Sequence, residues 1–158
     1  MTASAEKQNE PRAVTARGFS LVLVVAAALI NDQGEILLTQ RPAGKSMAGL
    51  WEFPGGKIEK GESPETALAR ELEEELAIQV NIKSLKPVTF ASHIYEDFHL
   101  LMPLYAVKMN AGIRPQEGQK IRWVRPEELD DYDMPPADIP LLKPLKDFVR
   151  HIMMTGAG

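Results

Sequence analysis

Residues 55–78 read GGKIEKGESPETALARELEEELAI, a Gly-Gly loop running into an acidic amphipathic segment. Ser63-Pro64-Glu65 is a helix start: a hydroxyl able to cap free N–H groups, proline at the first helical position, then an acid in the first turn. Leu68, Leu72 and Leu76 recur every four residues, which predicts an apolar helical stripe ending at about Ala77. Positions three and four apart share a helix face, so Glu71, Glu74 and Glu75 point the same way. Like charges so placed cost about 0.2–0.5 kcal/mol per pair on an exposed helix, and Arg70 offsets part of this by pairing with Glu74. Two readings follow: a solvated acidic face, or a face that takes a hard divalent cation, whose preferred ligands are carboxylate oxygens. Gly55-Gly56 supplies backbone that a ligand can approach closely, and Glu62 adds another acid on the loop.

Upstream, residues 19–30 (FSLVLVVAAALI) follow Arg12 and Arg17 and imitate a signal peptide. The run is shorter than the roughly 20 residues that a membrane-spanning helix needs. Asn31-Asp32-Gln33-Gly34 is a turn signal, and the strand-like residues 35–39 come next, so a buried strand returning through a hairpin is the better reading. Downstream, residues 78–90 have strand character broken at Lys83-Ser84 and Lys86-Pro87, and residues 99–109 and 120–124 are further strands. Pro103 points to an edge or irregular position. Residues 138–153 carry apolar side chains at helical spacing and form a closing helix whose start is made irregular by Pro140 and Pro144. The pattern is that of a mixed α/β sandwich. One domain is expected over residues 17–154, between a polar leader, residues 1–16, and a tail, residues 155–158.

Composition narrows the chemistry. There is no cysteine, which removes disulfides, thiol nucleophiles and thiolate metal sites, and three scattered histidines leave little for a zinc site. Any metal would be a hard one held by oxygen. A net charge of −4 speaks against a binder of polymeric nucleic acid, but not against a nucleotide whose phosphates a cation masks.

The acidic segment resembles the Nudix box, Gly-x5-Glu-x7-Arg-Glu-apolar-x-Glu-Glu-x-Gly-apolar. Its positions are met by Gly56, Glu62, Arg70, Glu71, Leu72, Glu74, Glu75 and Ile78, with Ala77 standing where the family has glycine. That glycine belongs to the helix end, where a left-handed residue costs glycine little, so the departure concerns turn geometry. The resemblance to the MutT group extends from about residue 18 to residue 148: Trp51-Glu52-Phe53-Pro54 enters the box, Leu37-Leu38-Thr39-Gln40-Arg41 resembles the second strand, and Trp123 with Pro126-Glu127-Glu128-Leu129 resembles the segment after the sheet. Pro135-Pro136-Ala137-Asp138-Ile139-Pro140 resembles the loop that reads the base. Phe98 stands where the group has a further substrate-contacting arginine.

The resemblance implies a Nudix-type α/β/α sandwich with a mixed central sheet, the box helix on one side and a C-terminal helix. It implies metal-dependent hydrolysis of nucleoside triphosphates, oxidised ones such as 8-oxo-dGTP included, to the monophosphate and pyrophosphate, a nucleotide-pool sanitation activity. Two alternatives are a pyrophosphohydrolase of CTP, dCTP or modified pyrimidine triphosphates, and a non-catalytic Nudix recognition module; the complete set Glu71, Glu74 and Glu75 speaks against the latter. Implied with it are Mg²⁺, with Mn²⁺ as a substitute, a nucleoside triphosphate as the small-molecule partner, no membrane, a monomer, and a cytoplasmic setting.

By position, Glu71, Glu74 and Glu75 are the implied metal-binding, catalytic carboxylates, and the Gly55 carbonyl is the backbone ligand. Glu117 is a further metal-binding or water-activating acid, or else an ordinary loop acid. Arg70 orients the glutamates, while Gly56 and Glu62 hold the loop. Arg41 and Lys57 are phosphate contacts, although a surface role explains Lys57 equally. Phe53 contributes backbone contacts to the base or is a core aromatic. Asp138 reads the base where the group can carry asparagine, or caps the last helix.

Overall fold

The computed structural model describes residues 20–110 and 112–156. The expected leader, residues 1–16, and tail residues 157 and 158 lie outside these. The apolar run forms strand β1, Ser20–Ile30. Asn31 closes the hairpin: its side-chain oxygen accepts from the N–H groups of Gln33 (3.0 Å) and Glu35 (2.9 Å). Gly34, at φ 76°, supplies the left-handed residue, and β2, Ile36–Gln40, returns.

Two short strands follow, β3 (Trp51–Glu52) and β4 (Gly55–Lys57), then helix α1 (Pro64–Leu76). Strands β5 (Lys86–Ile94), β6 (Phe98–Lys108) and β7 (Lys120–Val124) precede helix α2 (Leu142–Thr155). They build one mixed sheet along the path β3-β2-β1-β6-β5, with β4 paired to β1 and β7 to β2. The β1–β6 ladder is parallel and the others are antiparallel.

β1 is apolar from Leu21 onward, and its residues 25–30 are buried because both faces are covered there. Ala26, Ala28 and Ile30 pack with Leu142, Leu145, Val149 and Ile152 of α2, while Val25, Ala27 and Leu29 pack with Leu68, Leu72 and Leu76 of α1. The expected sandwich of a central mixed sheet between two helices is therefore present, and residues 20–30 are a strand rather than a signal segment.

Three local expectations change. Residues 78–85 are not a strand; a 3₁₀ turn occupies Ile82–Ser84, capped by the Asn81 side chain on the Lys83 N–H (3.0 Å), and Ile78 is buried under α1 instead. Pro103 is not on an edge strand, since β6 lies between β1 and β5. The irregularity is real: the β1–β6 ladder skips from Leu101 to Leu104, around the residue that has no N–H to offer. Thr155 belongs to α2, whose C-cap is Gly156 in the left-handed conformation.

α1 starts as the sequence indicates, with Ser63 Oγ accepting from the Thr66 N–H (3.1 Å) and Pro64 in the first turn. It ends at Ala77, at φ 55° and ψ 36°, with its N–H on the Glu73 carbonyl. Alanine thus holds the left-handed position that glycine fills in the box pattern, at a steric cost of about 1–2 kcal/mol. Ala77→Gly should relieve part of it, and we expect a gain of about 0.5–1 kcal/mol in urea unfolding. An unchanged or lower midpoint would show that the turn is not strained.

Candidate active site

Arg70 organises the loop that carries the acids. Its Nε and Nη2 each donate to a Glu62 carboxylate oxygen at 2.8 Å, Nη2 also reaches the Lys57 carbonyl (3.1 Å), and Nη1 donates to Glu71 (3.0 Å) and lies 3.5 Å from Glu74. Glu62 also accepts from the Glu59 N–H (2.9 Å), so the loop from β4 to α1 is closed from both sides. The charge-assisted pair holds the Glu62 carboxyl down at about 2. Arg70 and Glu62 thus bond to each other, to the loop backbone and, through Arg70, to Glu71.

Gly56 faces the Glu71 carboxylate so closely that a Cβ there would sit 2.3 Å from Glu71 Cδ, and one at Gly55 would sit 2.0 Å from the Val25 carbonyl oxygen. Both glycines are needed for close approach, the first of a carboxylate and the second of β1. The acids on α1 are not a uniformly solvated face. The Glu71 side chain is 16% exposed against 58% for Glu74, and Glu75 lines a cavity of about 260 Å³ beside Gly55, Gly56, Lys57 and Glu117.

Glu117 is brought to this end of the cavity by contacts invisible in the sequence. The Glu75 carbonyl, left free near the C-terminus of α1, accepts from the Gln116 N–H (2.8 Å) and from Gln119 Nε2 (3.1 Å). Gln119 Oε1 in turn accepts from the Glu117 N–H (2.8 Å). Lys45, on the loop after β2, reaches to 3.7 Å from the Glu117 carboxylate. Burial first, then the negative charges of Glu71, Glu117 and Glu52, push the Glu75 carboxyl up to about 8, against a smaller pull from the Gly55 N–H.

The other end of the cavity is built from β2, β3 and the segment before α2. Asp138 is buried, and its Oδ2 accepts from the Phe53 N–H at 3.4 Å. It makes no side-chain cap on the helical turn that follows, so the capping alternative does not hold. Burial, then the nearby Glu52, push its carboxyl up to about 7, with the Phe53 N–H and Arg41 opposing. The Phe53 ring is in the core, and its backbone N–H faces Asp138. Arg41 lines the cavity, but its donors are engaged. Nη1 bonds both Glu52 oxygens (3.1 and 3.2 Å) and Nε bonds the Ser46 carbonyl (2.7 Å). The sequence does not single out Glu52, Gln119 and Lys45; the Arg41–Glu52, Glu75–Gln119 and Lys45–Glu117 pairings that reveal them join residues 11, 44 and 72 positions apart.

The NUDIX domain family model matches residues 25–144, most of the chain and every element around this cavity up to the start of α2. The chain belongs to the NUDIX domain family. It is 42% identical over 125 residues to the CTP pyrophosphohydrolase of Escherichia coli K12, covering 77% of this chain and 90% of that protein. It is 40% identical over 129 residues to the 8-oxo-dGTP diphosphatase of the same organism, covering 78% and 96%. In three dimensions it is similar to the E. coli ORF135 protein in solution, with a TM-score of 0.71 at 37% identity over 89% of this chain and 96% of that one.

Nudix hydrolases depend on divalent cations, and the donors here suit one. Among the described residues, no group of three or more acidic, histidine or cysteine side chains is arranged to hold an ion outright. The donor chemistry nevertheless fits. Glu75 is a largely desolvated carboxylate surrounded by three like charges, and no cation among the described residues pairs with it. Neutralisation by a hard cation is the ordinary remedy for such a group. Among the described residues no helix is long and apolar enough to cross a membrane.

Burial raises Glu52 and Glu71 as well, but Glu75 and Asp138 are raised furthest and dominate the pH response of this Nudix domain without metal. In the unfolded chain they release their protons near about 4.3 and 3.9, whereas here they keep them to about 8 and about 7. Across that window the unfolded state binds fewer protons, so stability falls as pH rises. Glu62 titrates below the window. A divalent cation held by ionised Glu75 would cancel its share. We expect the Tm difference between magnesium and chelator to widen from about pH 5 to about pH 8; a constant difference would contradict this.

Proposed function

We propose that this chain hydrolyses nucleoside triphosphates to the monophosphate and pyrophosphate with a divalent cation, Mg²⁺ first and Mn²⁺ as a substitute. In this proposal both 8-oxo-dGTP and cytidine triphosphates are substrates, drawn from a cytoplasmic pool. The observation that carries it is the polarity of the cavity: acids able to hold a cation at one end, and a buried carboxyl with a pKa near the working pH at the other. The curated relatives, a CTP pyrophosphohydrolase and an 8-oxo-dGTP diphosphatase, support the same pair of substrates.

Glu71, Glu74, Glu75, Glu117 and the Gly55 carbonyl hold the cation in this reading. When bound, it neutralises phosphate oxygens and so opens phosphorus to attack. Arg70 keeps Glu71 and Glu74 in place. A water oxygen bonds to phosphorus as the bond from that phosphorus to the bridging oxygen breaks, and the water proton passes to a carboxylate, for which Glu117 is the accessible choice at 48% side-chain exposure. Lys57 and Lys45 line the same end and are the phosphate contacts we put first. Arg41 is better placed to hold the loop over the cavity and to balance Glu52 beside Asp138.

Glu74→Gln and Glu75→Gln should each lower kcat by about 100-fold or more with the fold intact by circular dichroism. Near wild-type turnover of both, or full turnover in excess chelator, would refute the cation site.

Asp138 accounts for a dual base preference. Protonated, it donates and accepts as an amide does and suits O6 with the N7–H that 8-oxoguanine gains; ionised, it only accepts and suits the cytosine N4 amino group. Asp138→Asn keeps the first capacity and replaces the ionised acceptor of the second with a weaker, neutral one. The ratio of kcat/KM for 8-oxo-dGTP to that for dCTP should therefore rise by about tenfold, or about 1.4 kcal/mol. An unchanged ratio would take Asp138 out of base recognition.

A further inference from the structure

The sheet face that α1 covers is covered only in part. Val25, Ala27, Leu29, Tyr105 and Val107 are buried beneath the helix. Towards the start of β1 the same alternation brings out Leu21 and Leu23, 48% and 40% exposed, and on β5 it brings out Phe90 and Ile94, each 65% exposed. β6 joins them: Leu21 and Ile94 both lie opposite His99, Leu23 lies opposite Leu101, and Phe90 lies opposite Pro103. The polar pair inside this area is bonded to itself, Ser92 Oγ to His99 Nε2 at 2.7 Å. The result is a contiguous apolar patch across three strands, a feature that marks an interaction surface far more often than a solvated one.

β5 is the last strand of the sheet, and among the described residues β6 is its only partner. Charge along it is ordered. Lys83 and Lys86 stand at its start, and Glu96 and Asp97 lie just past its end. Among the described residues none of these four forms an ion pair within 4 Å, although ten such pairs occur elsewhere. A strand basic at one end and acidic at the other is complementary to itself when reversed. An antiparallel second copy of β5, related by a two-fold axis, sets the lysines of each chain towards the acids of the other and lays the two apolar patches side by side. Pro87 and the bulge between Pro87 and Thr89 confine regular pairing to the rest of the strand, so side-chain burial has to supply much of the association.

We propose that this chain forms an isologous dimer through the outer edge of β5, with Phe90 and Ile94 packed across the two-fold axis and the Leu21 and Leu23 side chains extending the apolar face behind them, in place of the monomer that its sequence suggests. β5 contributes no residue to the catalytic cavity, so the dimer leaves that cavity open and the hydrolase activity does not depend on it.

Sedimentation equilibrium of the full chain over a wide concentration range tests this, with nucleotide hydrolysis and circular dichroism reporting that each variant is folded. The expected result is a reversible monomer–dimer equilibrium in which Phe90→Glu and Ile94→Lys each raise the dissociation constant by at least about tenfold. Lys86→Glu should weaken the dimer, and Lys86→Glu combined with Glu96→Lys in the same chain should restore it, which only an antiparallel pairing of like strands explains. A monomer at every concentration overturns the proposal, whether the patch is then covered by residues 1–19 or by a different protein. A dimer indifferent to Phe90→Glu and Ile94→Lys, or one that the charge exchange does not restore, overturns it equally.

Discussion

One guanidinium ties the catalytic loop to the helix. Arg70 bonds both oxygens of Glu62, the Lys57 carbonyl and Glu71, and so joins the end of β4, the loop behind it and the first turns of α1 into one rigid unit. Multiple partners around a planar fork give orientation as well as energy, which a lysine at this position could not reproduce. Without this clamp the acids on α1 would repel one another across a loose loop. With it, Glu71 is pressed against Gly56 and Glu75 is turned into the cavity.

That unit needs a firm base, which β1 supplies. A strand buried on both faces is the most constrained element in the sheet, and it holds β4 through Val24, Val25 and Ala26 while α1 packs over Val25, Ala27 and Leu29. Gly55 approaches the Val25 carbonyl too closely for any side chain, so the Gly-Gly loop is fixed directly to the core strand. Rigid placement of this kind is what phosphoryl chemistry requires, since the protein contributes positioning and charge rather than a covalent nucleophile.

The cavity then carries two desolvated carboxyls with different solutions to the same cost. Glu75 sits among three like charges; Asp138 is buried beside Glu52, with the Phe53 N–H and Arg41 opposing the rise, and holds its proton to about 7. Arg41 and Glu52 line the same cavity as an ion pair: the Glu52 charge raises both acids, and Arg41 offsets part of the rise at Asp138.

Much of this was legible in the sequence because the governing interactions are short-range. Helix periodicity alone put Glu71, Glu74 and Glu75 on one face, the Ser63-Pro64 start and the left-handed end at Ala77 follow from local sterics, and the two-sided burial of β1 is written in its unbroken apolar run. The acid spacing likewise identified the family. Contacts that join distant segments had no such signature. Gln119 on the Glu75 carbonyl, Lys45 beside Glu117 and Glu52 on Arg41 depend on which loops the sheet brings together, and a single sequence carries no period or spacing for them. The same holds for Asp138, a capping residue by its position in the chain and a buried acid facing the Phe53 N–H in fact. Pro103 suggested an edge because a proline cannot donate, yet it lies mid-sheet, where the ladder simply breaks around it. Local sterics and periodicity belong to the chain itself; burial, and with it the protonation of Glu75 and Asp138, comes into being only when the chain closes around them.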